Sequence, residues 1–127
     1  MPAPALPPYE LGHPRTEMRR RLVDAVLRGE KTATASLREM YEPFTSHPLP
    51  QAGERFVLLG YSDESCGIIE VTAVDVRALD DVELQFAIDE GEGHTSAEGW
   101  RAAGLRYWAG HGVTGKTLVV YERFRLL

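Results

Sequence analysis

Cysteine is nearly absent from this sequence: Cys66 is the only one in 127 residues, so no disulfide can close within the chain. The opening MPAPALPPYE has neither the basic start nor the apolar run of a secretory leader, and the expectation is a cytoplasmic protein. Long apolar runs are missing too. No segment approaches the roughly 20 residues that a membrane helix needs, so no membrane partner is expected. Positive charge is in deficit, with a net charge of −5. Sequence-independent affinity for polyanions comes from lysine and arginine on phosphates, so this balance argues against a general binder of long nucleic acid while leaving room for a basic patch on one face. There is no internal repeat.

What is present suits one core. With 43% hydrophobic residues the chain is long enough for a single hydrophobic centre and too short for two. Five of the eight prolines fall in the first fourteen residues, which reads as a proline-rich arm over residues 1–14 followed by a single domain over 15–127. From Thr16, the apolar residues Met18, Leu22, Val23, Val26 and Leu27 recur at helical spacing around Arg19, Arg20 and Arg21, and Gly29 supplies the stop. The three arginines read as solvated surface.

The stretch RGEKTATAS then changes period. Alternation places Thr32, Thr34 and Ser36 on one face of a strand and Ala33 and Ala35 on the other, giving one closely packing face and one row of hydroxyls. RFVLLGYS and CGIIEVTAVDVRAL read as a hairpin across SDES. DDVELQFAIDEGEGH begins as a short helix and ends in an acidic, glycine-punctuated loop. Thr95 and Glu98 fit a capping box for a helix running to about Gly110, and TLVVYERFRLL closes the chain as a strand. Helices interrupting antiparallel strands give an α+β fold, best arranged as a small bent sheet or barrel.

Three stretches together, LRGEKTATAS, FAIDEGEGHTSAEGWR and VVYERF, resemble the ASCH domain family. The resemblance covers about Thr16 to Leu127. It implies a small bent antiparallel β-barrel of PUA-like type with flanking helices, and a cleft for a nucleoside, a nucleotide or short single-stranded RNA. Some members are similar to amidohydrolases that remove the acetyl group from N(4)-acetylcytidine. Carried over by motif, the catalytic lysine falls on Lys31, the threonine on Thr34 and the glutamate on Glu90. Ser36 stands where that branch commonly has arginine. Other members resemble single-strand ribonucleases or non-catalytic RNA-binding modules, and both remain as alternatives.

The residues by themselves leave two readings open. Threonine is a poor nucleophile without a base, and a lysine acts only when its surroundings alter it. Lys31 therefore serves a reaction if it sits in the turn after Gly29, or else is a solvated turn residue with Thr34 a buried hydroxyl. Glu90 and Glu92, between glycines, suit close approach to a ligand or face water as a helix-end loop. Trp100 and Arg101 are candidate pocket-wall residues, and Trp108 reads as core. Glu122 shares a strand face with Val120 and Phe124, where a lone carboxylate needs a partner such as Lys31 or a solvated rim. Thr32, Ser36, Glu92, Trp100, Arg101 and Glu122 make up the candidate substrate contacts. The cluster Asp89, Glu90, Glu92 and His94 matches no known cation loop, so no metal and no cofactor are expected. Cys66 reads as an apolar filler, and His13, His47 and His111 as loop residues.

Overall fold

The apolar repeat after Thr16 forms helix α1 (Glu17–Leu27) in the computed structural model, which describes residues 6–12 and 16–127. The Thr16 hydroxyl accepts from the Met18 amide and caps the helix. At the other end Gly29 has φ 80°, a left-handed value that lets the Glu30 and Lys31 amides turn back onto the Ala25 carbonyl at 2.9 and 3.1 Å. His13 lies outside the described residues.

Five strands follow the order β1 (Pro8–Tyr9), β3 (Arg55–Leu59), β4 (Ser65–Ala78), β5 (Leu118–Leu126), β2 (Ala33–Leu37) across one sheet. The hairpin read from RFVLLGYS and CGIIEVTAVDVRAL is β3 with β4, Phe56 facing Ile69. Fourteen residues make β4 long enough to pair with β3 from Ser65 to Glu70 and with β5 from Ile69 to Ala78. A register shift between Val71 and Ala73 bends it on the way.

Two expectations about the sheet need correction. It is mixed, since β1 runs parallel to β3, and it is open, since β1 and β2 are edges that do not meet. A closed barrel needs long strands at the seam, and β1 has only two residues. The described part of the proline-rich segment, residues 6–12, packs on the fold, with Leu11 buried beside Val23 and Phe124 and Tyr9 packed against the same group.

Between β4 and β5 lie α2 (Leu84–Asp89) and α3 (Ala97–Tyr107). The cap of α3 is Ser96, one residue later than the capping box predicts, because its hydroxyl is the one that reaches the third helical amide, Gly99 N, at 3.0 Å. The helix ends at Tyr107, short of Gly110, as Trp108 leaves helical geometry.

Alternate residues of β5 supply two cores. Val119 and Tyr121 join Ala33, Leu37, Phe86 and Trp100, while Phe124 joins Leu58, Ile69, Val71 and Val26. Each large side chain so buried contributes about 2 kcal/mol. Arg19 is not the solvated residue its neighbours suggest. It is only 2% exposed, its Nε donating to the Leu11 carbonyl and its guanidinium pairing with Asp63 at 2.9 Å. Arg20 and Arg21 do face solvent.

Candidate functional site

The glycine turn after α1 delivers Lys31 to the free edge of β2. The Thr32 amide donates to the Asp89 carbonyl at 2.8 Å, tying this turn to the end of α2. Gly91 is required at the junction: its φ is 71°, and a Cβ there would sit 2.6 Å from the Glu30 carbonyl oxygen. The segments Glu30–Lys31 and Glu90–Glu92 therefore lie against each other.

Lys31 is 1% exposed. Its Nζ donates to the carbonyls of Ala33 at 2.7 Å and Glu90 at 3.2 Å. The carboxylates of Glu90 and Glu92 stand 3.9 and 3.6 Å from the same nitrogen. Burial pushes the Glu90 carboxyl up to about 7, against the pull of Lys31, and Glu92 adds to the rise. The indole N–H of Trp100 and the backbone amide of Ala35 donate to the Glu90 carboxyl and favour its ionised form. A carboxyl with this value is partly ionised at neutral pH and can both take and return a proton.

Glu122 is a second buried carboxyl, on β5 directly opposite Thr34 of β2. Burial raises it to about 7; the Tyr9 hydroxyl, which donates to it, and the charge of Lys31 act the other way, and Glu54 reinforces the rise. Tyr9 is itself pushed well above the usual phenol value by burial and by Glu122.

Three cavities run in series along the edge of β2. The first, about 230 Å³, lies between α1 and α3 and is lined by Met18, Leu22, Glu90, Glu92, Trp100 and Trp108, among others. A second of about 550 Å³ shares Ala35, Tyr107 and Trp108 with it and adds Ser36, Tyr41, His47 and His111. The third, about 630 Å³, shares Ser36, Tyr41 and His47 and reaches Thr34, Glu122, Tyr9 and Phe56. Together they form one trough whose two ends carry the two buried carboxyls.

The sequence candidates distribute along it. Glu90 lines the first cavity with Lys31 buried behind it and lining none of the three, Glu92 stands at its rim and Trp100 in its wall. Thr34, Ser36 and Glu122 line the third. Thr32 and Arg101 are half-buried and line none of the three. Trp108 packs on the core and also faces two cavities. Tyr9, Tyr41, His47 and Met18 line the trough unannounced by any motif; His47 and His111, read as plain loop residues, are part of its wall. Among the described residues no group of three or more acidic, histidine or cysteine side chains is arranged to hold a metal ion, and Asp89 is instead paired with Arg123 at 2.8 Å.

A family model described as the ASCH domain matches residues 9–127. No curated protein matches the chain. Among solved structures, the ASCH domain of Lactobacillus crispatus JV V101 is 26% identical with a TM-score of 0.82, over 96% of this chain and 79% of that one. A protein of Enterococcus faecalis V583 is 26% identical with a TM-score of 0.82, over 100% of this chain and 78% of that one. The ASCH protein of Zymomonas mobilis shares the fold at 15% identity and a TM-score of 0.55, over 83% of this chain and 61% of that one.

Proposed function

The chain belongs to the ASCH domain family, and from that premise we propose that its trough binds a nucleoside and hydrolyses an amide on the base, as in N(4)-acetylcytidine. One observation carries the reading: a carboxyl held at about 7, Glu90, lines an aromatic-walled cavity and is backed by a fully buried ammonium, Lys31. Amide hydrolysis can use such a pair, the carboxyl moving the proton and the cation stabilising negative charge. A nucleophile adds to the carbonyl carbon and gives its proton to Glu90. Negative charge develops on the carbonyl oxygen in the field of Lys31, and Glu90 returns the proton to the exocyclic nitrogen as the carbon–nitrogen bond breaks. Acetate and cytidine leave. Thr34, the nucleophile by motif, lines the third cavity beside Glu122 and not the first with Glu90, so direct attack by water is the route this arrangement favours; an acyl ester on Thr34, cleaved by water, would give the same products.

The test is release of cytidine from N(4)-acetylcytidine, followed by chromatography. Lys31→Ala and Glu90→Gln are expected to lose about 10²–10⁴-fold in turnover, and Thr34→Ala decides between the ester and direct attack by water. No release by folded wild-type protein overturns the proposal. The length of the trough favours one other reading, a module that binds a nucleotide or short RNA without cutting it. Affinity for oligonucleotides in a low-salt titration, without hydrolysis, is its signature.

A further inference from the structure

The lining of the trough has a sign. Glu90 and Glu92 stand in the first cavity and Glu54 and Glu122 in the third, and among the described residues no lysine or arginine lines any of the three. Lys31 lies beneath the floor with its ammonium already shared among two carbonyls and two carboxylates. Nearby arginines are turned elsewhere: Arg123 holds Asp89, Arg28 holds Glu30, and Arg19 holds Asp63. A separate space beyond Glu92, about 420 Å³, does hold Arg21 and Arg28, but Asp24 and Glu92 balance them there. The walls are aromatic, from Trp100 and Trp108 at one end to Tyr9 and Phe56 at the other.

Phosphate recognition depends on cations or on converging backbone amides. This trough offers stacking faces and hydrogen-bond acceptors inside low-dielectric walls, which focus the field of its carboxylates outward. We propose that the trough selects a ligand without phosphate, a free nucleoside or base, and rejects the corresponding nucleotide and RNA by charge, with Glu92 at the rim as the discriminating residue. Glu92 is suited to this. Its side chain is 36% exposed, it borders both the first cavity and the arginine-bearing space, and the glycines on either side, at φ 71° and 89°, fix the loop that carries it. The selectivity rests on the nucleoside reading given above, so the experiment has two arms.

The first arm needs no ligand. Both tryptophans of the chain line the first cavity, so quenching of their fluorescence by caesium against iodide reads the sign of the local potential. Caesium is expected to quench more strongly, and Glu92→Gln to narrow the difference. The second arm compares binding of cytidine, cytidine 5′-monophosphate and a short oligonucleotide. The phosphorylated ligands are expected to bind about tenfold more weakly at about 20 mM salt, with the gap closing near 0.5 M salt and in Glu92→Gln. Iodide quenching as strong as caesium overturns the proposal whatever binds. Monophosphate binding as tight as nucleoside binding overturns it while the nucleoside reading stands. If nothing binds, the nucleoside reading falls, the selectivity falls with it, and the quenching arm still reports the sign of the cavity.

Discussion

Lys31 and Glu90 face each other with 3.9 Å between Nζ and Oε2, the lysine side chain wholly buried and the glutamate side chain nearly so. Removing one member of such a pair strands the other as an uncompensated charge in an apolar wall. Lys31→Met, which keeps the volume, is expected to cost about 3–5 kcal/mol in urea unfolding. Adding Glu90→Gln is expected to recover part of that loss, a coupling that a double-mutant cycle reads directly.

The second buried carboxyl predicts a pH dependence. Glu122 titrates at about 7 in the folded protein against 4.5 for a free glutamate, so the native state holds this proton more tightly than the unfolded chain. Stability is unaffected by Glu122 below about 4.5, declines as pH rises through the window to about 7, and stays lower by roughly 3 kcal/mol above it. Glu122→Gln removes this contribution. Its midpoint in thermal unfolding is expected to exceed that of wild type at pH 8 and to converge with it at pH 4.

Two glycines of the acidic loop separate crowding from conformation. Gly91→Ala places a Cβ 2.6 Å from the Glu30 carbonyl oxygen at a φ of 71°, whereas Gly93→Ala meets nothing within 4 Å at a φ of 89°. The second is expected to cost about 1 kcal/mol and the first 2–3 kcal/mol. Only the first is expected to impair turnover as well, since it pushes Glu90 and Glu92 away from Lys31. Calorimetry and the deacetylation assay together check this.

Trp100→Phe keeps an aromatic ring beside Phe86 and Tyr121 while deleting the indole N–H that donates to Glu90. That hydrogen bond favours the ionised carboxyl. Its loss moves the Glu90 value up, and the ascending limb of the pH profile of turnover shifts upward with it. A profile that falls in height without moving in pH contradicts the assigned role.

Local pattern carried most of the fold into view. The helical repeat after Thr16, the stop at Gly29, the period change in TATAS and the hairpin across SDES all depend on residues near one another, and each forms as the spacing predicts. What escaped depends on distant partners. Tyr9 and Glu122 are 113 positions apart, and nothing near Tyr9 announces a buried acid. Arg19 is buried because a carbonyl at Leu11 and a carboxylate at Asp63 converge on it. The expected barrel is met only in part, as a sheet that does not close, for a similar reason: closure depends on how far the first two-residue strand extends, which alternation does not encode. For the site, hydroxyl alternation alone puts Thr34 and Ser36 on one face. The meeting of Lys31 with the Glu90 loop spans 59 positions and was carried by the family motif.

β2 is the last strand on its side of the sheet, and two of its backbone groups are taken up by the same pair to which chemistry is assigned. Lys31 binds the Ala33 carbonyl, and Glu90 accepts from the Ala35 amide. A bare strand edge is a template on which another chain can add and aggregation can begin. The lysine and the glutamate thus serve as a hem, and selection for a protein that stays apart from its neighbours acts on the same two side chains to which the proposed reaction is given. A relative that binds without cutting would still have reason to keep both. Meeting this pair in another sequence is therefore evidence of a finished sheet before it is evidence of an enzyme.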